Sequence, residues 1–175
     1  MNDARLQWIN DLDAAAAAEQ FRKCCGAESW VTQMVAARPF ADGDALCACA
    51  EACFDELQRD DWLVAFNSHP RIGDLNSLRM RLAGNRQWSA SEQSGINSAD
   101  EETIQRLAVG NQRYDQRFGY PFIICATGKS AAEMCRALYQ RLNNDLVTEL
   151  SIAAEEQRKI TRLRLEKLAP PTEAT

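Results

Sequence analysis

The sequence predicts an all-α fold, a single-domain irregular bundle of about seven to nine helices. Apolar residues recur every three or four positions in several separate stretches, as they do along one face of a helix. Capping side chains precede these stretches, and glycine or proline follows most of them. Only residues 122–126 have the continuous apolar composition of a buried strand, and a lone strand has no partner. Because composition does not shift along the chain, we expect one domain over residues 1–175, with a flexible tail at 169–175.

Three helices are predicted in the first third of the chain. Asp13 precedes an alanine-rich stretch and is expected to cap a helix that ends before Gly26. Ser29 is expected to open a short second helix, which Pro39 ends. The third helix is amphipathic, and its inward face carries Leu46, Cys49, Ala50, Cys53, Phe54 and Leu57.

The next helix is predicted for residues 60–66, directly ahead of the only histidine in the chain, His69. Pro70 follows this histidine, and proline disfavours helical dihedrals in the residue before it. We therefore expect the helix to end just before His69. An imidazole titrates closest to neutral pH, which makes His69 a candidate proton carrier. The alternative is a histidine that only hydrogen-bonds at a helix end.

The middle of the chain gives weaker signals. Residues 75–88 combine a few apolar residues with glycine, asparagine and several arginines, and we predict mostly loop there. Ser89 and Glu92 have the spacing of a capping box, in which each side chain accepts from a backbone amide at the start of a helix. If the carboxylate of Glu92 also faces a site, capping and catalysis are compatible.

A long helix is predicted from residue 99 to 118, ended by Gly119 and Pro121. The apolar residues 122–126 follow it. Because no second strand is available, we expect this segment to be either buried extended chain or the start of a helix. Its backbone groups either bind a polar ligand or only accompany side chains that fill the core.

Two helices complete the chain. Ser130 and Glu133 form a second predicted capping box, ahead of a helix that reaches Leu142. The last helix is predicted for residues 145–168, with an inward stripe of Leu146, Leu150, Ala153, Gln157, Ile160, Arg164 and Leu168.

Arginines on this last helix fall on different faces. Arg164 lies on the predicted inward stripe, where a guanidinium needs an anion or other acceptors. Either a bound ligand or a structural partner such as Glu92 or an aspartate would satisfy it. Arg158, Arg162 and Glu166 step by four along another face and are expected to be solvated.

Charge limits the classes of partner. The formal net charge is −5 and the sequence pI is about 5.0, so the basic surface that nucleic-acid binding needs is not expected. A local cluster formed by Arg71, Arg79, Arg81 and Arg86 could still draw in a small anion. The alternative is that these are ordinary surface arginines.

Cysteine usage and hydropathy indicate a cytoplasmic protein. The first residues lack the basic and then apolar layout of a secretory signal, and no apolar run approaches the ~18 residues of a membrane span. The seven cysteines are an odd number, mostly in helical stretches, and are expected to be buried reduced thiols. Cys49 and Cys53 share a helix face, but zinc normally takes four ligands and the histidine lies elsewhere, so no metal site is predicted.

Three motifs in order along the chain resemble the OHCU decarboxylase family: NSHPRIG at 67–73, SASEQSG at 89–95 and RFGYPFIICA at 117–126. The resemblance covers nearly the whole chain. It implies decarboxylation of 2-oxo-4-hydroxy-4-carboxy-5-ureidoimidazoline (OHCU), late in urate breakdown, to (S)-allantoin. It also implies a homodimer that uses neither a metal nor an organic cofactor.

The resemblance assigns roles to residues. His69 matches the proton donor, acting alone or sharing the proton with Glu92, which otherwise holds the substrate hydroxyl. Arg164 matches the last-helix arginine through the loose pattern Lys-Ile-x-x-x-Arg-Leu, with Arg162 as the alternative. The substrate-binding residues implied are Pro70, Ser89, Gln93, Phe122, Ile123, Ile124, Cys125 and Ala126.

One position departs from the family motif, which usually has phenylalanine where this chain has Tyr120. Its extra hydroxyl is expected to reach solvent. Without the resemblance, the residues indicate only acid–base chemistry on a small polar molecule. The alternative function is a non-catalytic helical ligand-binding or scaffold protein that retains the pocket.

Overall fold

The computed structural model describes residues 3–69 and 98–170, and within these ranges the chain forms eight α-helices and no strand. The prediction of an all-α fold is therefore confirmed. The predictions for 75–88, for the capping box of Ser89 and Glu92, and for the tail beyond 170 lie outside the described residues. The helices are α1 (Asp3–Asp11), α2 (Ala14–Cys24), α3 (Glu28–Ala36), α4 (Gly43–Asp55), α5 (Arg59–Asn67), α6 (Ser98–Phe118), α7 (Ala131–Arg141) and α8 (Leu146–Lys167).

These helices belong to two compact units. The first unit contains the chain up to Ser68 together with the chain from Ala154 onward, and the second contains His69 to Ala153. Helix α8 contributes residues to both. Among the helices described, none combines the length and apolarity required to cross a membrane.

The core of the first unit is a stack of aromatic rings from three helices. The ring centroids of Trp30 and Phe54 lie 5.4 Å apart, as do those of Phe54 and Trp62, and the rings of both pairs are stacked nearly parallel, with an interplanar angle of 19°. Phe66 continues the stack at 6.1 Å from Trp62. Stacked aromatic pairs stabilise by about 0.5–1.5 kcal/mol each beyond the area they bury. Helix α5 is therefore fixed to α3 and α4 through its two aromatic residues.

Arg158 of α8 covers one side of this stack, which contradicts its predicted place on a solvated face. Its guanidinium carbon lies 5.3 Å from the Phe54 ring centroid and 5.8 Å from that of Trp62. The same group donates to Glu51 at 3.2 Å and to Asp55 at 2.8 Å. Only 21% of the side chain is exposed. An arginine can lie flat on an aromatic surface while its edge pairs with carboxylates, so a charged residue here is part of the packing.

The buried face of α8 is rotated relative to the predicted stripe. Ala153, Gln157 and Leu168 are buried as expected, but Leu146 is 64% exposed. A polar residue, Glu149, takes the first buried position instead, because Arg141 supplies a buried partner for its carboxylate. The face that is buried comprises Glu149, Ala153, Glu156, Gln157, Thr161, Leu165 and Leu168.

Local signals in the second unit are confirmed. Helix α6 ends at Phe118 as predicted, and Gly119 follows it with φ +81°, donating its N–H to the Asp115 carbonyl at 2.8 Å. The capping box at α7 is present, since the Ser130 N–H donates to Glu133 at 2.8 Å and the Glu133 N–H donates to the Ser130 hydroxyl at 3.3 Å. Helix α6 approaches α7 closely at Gly110, where a Cβ would lie 2.6 Å from Leu138 Cδ2.

All seven cysteines are free thiols, and five of them are buried. Burial raises the pKa of Cys24 to about 12 and that of Cys25 to about 11, despite the nearby charge of Arg164. These thiols therefore stay neutral near pH 7 and pack as small apolar residues, which agrees with the sequence prediction.

Candidate active site

His69 directly follows the hydrogen-bonded C-terminal end of α5. This agrees with the prediction that Pro70 keeps the residue before it out of a helix. The N–H of Ser68, the C-terminal capping residue, donates to the carbonyls of Val64 at 3.1 Å and Ala65 at 3.3 Å. The Ser68 hydroxyl donates to the Ala65 carbonyl at 2.6 Å. The last turn of α5 is thus hydrogen-bonded up to Ser68. The next residue, His69, is half-buried.

The beginning of α5 is fixed by Asp61. One carboxylate oxygen accepts from the Gln58 N–H at 2.9 Å, which forms a capping box. The other accepts from the Ser29 hydroxyl at 2.5 Å, which joins α5 to α3. Ser29 was predicted to cap a helix that begins at Trp30, but α3 begins two residues earlier, at Glu28, so Ser29 lies inside the helix and its hydroxyl is available to Asp61.

The end of α5 is fixed by Gly26, in the link between α2 and α3. A Cβ on Gly26 would lie 2.5 Å from Ser68 Cβ and 2.6 Å from Ser68 Oγ, far inside van der Waals contact. Any side chain at position 26 would therefore displace the residue that precedes His69. The sequence indicated Gly26 only as a helix stop.

Arg164 binds the C-terminal end of α2. Its Nη1 donates to the carbonyls of Lys23 at 3.3 Å and Cys24 at 3.2 Å, two of the groups that a helix end leaves without intrahelical partners. The Thr161 hydroxyl donates to the same Cys24 carbonyl at 3.3 Å. Arg164 is half-buried, and within the described chain its Nε and Nη2 make no hydrogen bond. Its acceptors are carbonyls rather than the carboxylate considered from the sequence.

Arg162 lies on the solvated face, as predicted. Its Nε is 3.6 Å from Glu166, and the two side chains are 65% and 49% exposed. An exposed pair one helical turn apart contributes about 0.3–0.5 kcal/mol at most. Of the two arginines, Arg164 is the more buried and the more firmly held.

Residues 122–126 form no helix, so the helix-start alternative is wrong, and their alternating burial is that of an extended chain. Ile123 and Cys125 are buried, whereas the residues that alternate with them are half-buried. The Ile123 carbonyl accepts from Arg141 Nη1 at 2.8 Å, and the Cys125 carbonyl accepts from Lys129 Nζ at 2.8 Å. Because alternate residues of an extended chain direct their backbone groups to opposite sides, one edge of the segment is used inside the protein.

A buried network that the motifs do not mark lies beside this segment. The carboxylate of Glu149 accepts from Arg141 Nε at 2.8 Å, from the Tyr114 hydroxyl and from Asn144 Nδ2 at 2.8 Å. Burial, followed by the hydrogen bond to Glu149, raises the pKa of Tyr114. One signal was available in the sequence, since Met134, Leu138 and Arg141 share a helix face and the first two are apolar.

Tyr120 belongs to an aromatic cluster next to this network, and the expectation that its hydroxyl reaches solvent is wrong. The residue is 3% exposed, and its ring centroid lies 5.7 Å from that of Tyr114 and 6.2 Å from that of Phe118. Neighbouring rings from α6 enclose the position.

Part of the predicted site lies outside the described residues, namely Pro70, Ser89, Glu92 and Gln93. Their roles stay predictions. The described part supplies a half-buried histidine after a fixed helix end, an arginine held by helix carbonyls, and a buried extended segment. Side chains of these types suit proton transfer to a small anionic molecule.

Comparison with known proteins identifies the class. The family model described as OHCU decarboxylase matches residues 10–166. The chain belongs to the OHCU decarboxylase family.

Individual relatives agree with this assignment. A crystal structure of OHCU decarboxylase in the presence of (S)-allantoin is 36% identical, with a TM-score of 0.67 over 86% of this chain and 96% of that one. The OHCU decarboxylase of Mus musculus is 32% identical over 75% of this chain and 73% of its own. The uric acid degradation bifunctional protein TTL of Arabidopsis thaliana is 35% identical over 86% of this chain, which spans 46% of that longer protein.

Proposed function

We propose that this chain catalyses the decarboxylation of OHCU to (S)-allantoin in urate degradation. The observation that carries the proposal is the family match over residues 10–166, which includes His69 at the end of α5. The relatives matched are named as OHCU decarboxylases or as uric acid degradation proteins.

The chemistry of the substrate explains why no organic cofactor is proposed. The carbon that carries the carboxylate also carries a hydroxyl group and adjoins a ring C=N bond. When the bond to the carboxylate breaks and carbon dioxide leaves, the electron pair moves into the C=N system. The ring nitrogen and the former C=N carbon, which carries the ureido group, then take up two protons, one from the hydroxyl group as it becomes the ring carbonyl and one from the protein. The face on which that former C=N carbon is protonated sets the enantiomer. The protein must orient the carboxylate, stabilise the developing charge and deliver one proton.

We assign the proton delivery to His69. An imidazolium is the side-chain acid best matched to neutral pH, and a carboxylate nearby, proposed to be Glu92, favours this protonated form. Glu92 either shares the proton with His69 or holds the substrate hydroxyl. The half-buried position of His69 after a hydrogen-bonded helix end supports a defined direction of proton delivery.

We assign charge stabilisation to Arg164. Its Nη1 is bound to two carbonyls of α2, which fixes the plane of the guanidinium. The edge formed by Nε and Nη2 suits a carboxylate or a ureido oxygen, which such an edge binds with two parallel hydrogen bonds. Pro70, Ser89 and Gln93 would shape the rest of the pocket.

The segment 122–126 would contribute backbone groups to substrate binding. Since the carbonyls of Ile123 and Cys125 accept from Arg141 and Lys129, the groups of Phe122 and Ile124 lie on the other edge of the chain. The substrate contacts are therefore proposed for this second edge rather than for all five residues.

The experiment uses urate freshly oxidised in the presence of purified protein, with the optical activity of the allantoin followed by circular dichroism. The wild-type chain should accelerate formation of (S)-allantoin, also after treatment with a chelator. His69→Asn should abolish this acceleration while the thermal unfolding midpoint stays close to that of the wild type, because His69 lies outside the helix. Val64→Ala, on an exposed position of α5, is the matched control and should retain full activity.

Two outcomes would contradict the proposal. Wild-type protein without effect on (S)-allantoin formation would favour a non-catalytic ligand-binding or scaffold protein. Full activity of His69→Asn would show that the protein catalyses the reaction without His69 as the proton donor.

We further propose that the protein acts as a cytoplasmic homodimer. The dimer follows the family resemblance. Leu146 and Val147, at the start of α8, are 64% and 79% exposed and are candidates for the apolar centre of the interface.

A further inference from the structure

We propose that Arg141, clamped by Glu149, is a positioning residue for this reaction, because it holds the extended segment 122–126 in register from inside the second unit. The inference rests on the proposed function, in which that segment binds the substrate. Neither residue belongs to the motifs of the predicted site.

One guanidinium contacts two consecutive residues of the segment. Arg141 Nη1 donates to the Ile123 carbonyl at 2.8 Å, and the guanidinium carbon lies 4.6 Å from the ring centroid of Phe122. The hydrogen bond opposes sliding of the backbone along its own axis. The ring contact opposes rotation about that axis, since the face of Phe122 would leave the cation. Both freedoms must be restricted if the opposite edge is to present its amide groups in a fixed direction.

Arg141 is itself immobilised. Its Nε donates to Glu149 at 2.8 Å, its Nη2 lies 2.6 Å from the same carboxylate, and the two side chains are 10% and 0% exposed. Tyr114 and Asn144 donate to Glu149 as well, so each oxygen of the carboxylate has a donor. All three guanidinium nitrogens therefore have an acceptor inside the protein.

Such a pair would be an inefficient way to gain stability alone. Desolvating two charges offsets most of their attraction, and well-packed apolar residues of similar volume often stabilise as much. An apolar residue at position 141, however, would give the Ile123 carbonyl no donor and would not set its position. The geometry points to a requirement for orientation.

The far end of the segment is anchored differently. Lys129 Nζ donates to the Cys125 carbonyl at 2.8 Å, and the Lys129 N–H donates to the Ala126 carbonyl at 3.0 Å across a turn that contains Gly128 at φ +76°. Lys129 is exposed, so this anchor is the weaker one. Ile124 lies between the two anchors, and its orientation depends mainly on the buried one.

The test replaces the planar guanidinium of Arg141 by the ammonium of lysine, which keeps the positive charge. In Arg141→Lys the ammonium can pair with Glu149, but its single nitrogen cannot stand at the Nε, Nη1 and Nη2 positions at once, so the planar group that joins the carboxylate to the Ile123 carbonyl is lost. Amide hydrogen exchange of the peptide that covers residues 122–126, measured without substrate, should become at least about tenfold faster, the lower end of the effect of one lost hydrogen bond to a charged group. KM for OHCU should rise by about the same factor, and the pH profile of kcat should not move.

Arg38→Lys is the matched control. Arg38 also donates to a backbone carbonyl, that of Leu12 at 2.6 Å, but it belongs to the first unit and to none of the contacts of Glu149. Exchange in 122–126 and KM should stay at the wild-type values. If Arg141→Lys does not fold, Tyr114→Phe removes only one donor to Glu149 and should shift both quantities in the same direction by a smaller factor.

The outcomes separate this inference from the proposed function. A lower unfolding midpoint of Arg141→Lys, with unchanged KM and unchanged exchange in 122–126, would make Arg141 a purely stabilising residue and overturn the inference. The same holds for Tyr114→Phe if it is the variant measured. Lack of OHCU turnover by the wild type would instead overturn the proposed function, while exchange still reports whether Arg141 holds the segment.

Discussion

Replacement of Gly26 by alanine should reduce activity far more than stability. The new Cβ would lie 2.5 Å from Ser68 Cβ, whereas non-bonded carbon atoms prefer separations of about 3.5–4.0 Å. The two backbones must therefore separate by about 1 Å. Ser68 directly precedes His69, so part of this movement is passed on to the proposed proton donor.

Neither side of the contact can yield freely. Ser68 is bonded through its N–H and its hydroxyl to the last turn of α5. On the other side, Arg164 and Thr161 hold the Cys24 carbonyl two residues before Gly26. Overpacking of this kind costs about 1–3 kcal/mol, which for a chain of this size lowers the unfolding midpoint by roughly 2–12 °C. Misplacement of a catalytic group by about 1 Å can cost about a hundredfold in rate.

The assay compares kcat/KM at 25 °C, where the variant remains folded, with the unfolding midpoint. Gly110→Ala is the control, since its Cβ would meet Leu138 Cδ2 at 2.6 Å, the movable end of a side chain. It should shift the midpoint with little effect on kcat/KM. In the double variant Gly26→Ala/Ser68→Gly the nearest remaining neighbour is Ala65 Cα at 3.9 Å, an ordinary contact, and activity should return.

Two results would refute the reasoning. Gly26→Ala with normal kcat/KM and a lowered midpoint would show that the strain does not reach His69. A double variant no more active than the single one would show that contact with Ser68 is not the cause of the loss.

Two further predictions concern α8. Arg164→Ala should lower kcat/KM about ten- to a hundredfold, because it removes a hydrogen bond to charge worth roughly 1.5–3 kcal/mol. Arg162→Ala should change kcat/KM little. A larger loss of kcat/KM in Arg162→Ala would assign the substrate-binding role to Arg162 instead. Light scattering should give twice the 19.6 kDa of the chain, and Val147→Asp should lower this mass while Val64→Asp, on an exposed site of α5, should not. A monomeric wild type at micromolar concentration would contradict the dimer.

Helix ends were predictable because they are local. Asp13 accepts from the Ala16 N–H at 2.7 Å, and the Ser130 and Gly119 caps involve partners within four residues. A cap depends on a side chain and the backbone of the same turn, so its whole physical cause is contained in a short stretch of sequence. The end of α5 before His69 was predictable for the same reason, since Pro70 restricts its neighbour directly.

Burial of charge was not predictable, because its cause lies elsewhere in the chain. An isolated Glu149 or Arg158 on a helix is expected to face water. Arg141 makes burial of Glu149 favourable, and the carboxylates of α4 together with the rings of Phe54 and Trp62 do so for Arg158. These contacts exist only after the helices pack. The predicted buried face of α8 differs from the observed one for this reason. A stripe of apolar residues that starts at Leu146 leaves out Glu149, a polar residue that becomes buried when the helices pack. The need for glycine at position 26 was not predictable either, because it arises from the Ser68 side chain, which is distant in the sequence.

The partners of Arg164 give an argument that the sequence alone did not contain. Arg22, Arg141 and Arg158 each pair with a carboxylate, which neutralises most of their charge. Arg164 instead donates to two carbonyl dipoles, and no carboxylate in the described chain pairs with it. Carbonyls orient a guanidinium without cancelling its charge. The carbonyls at the end of α2 also carry the negative end of the helix dipole, which makes a cation stable there before any ligand arrives. An arginine that binds the carboxylate of OHCU requires such a remaining charge, and because Arg162 lies beside the carboxylate of Glu166, this favours Arg164 over Arg162 independently of helix phase.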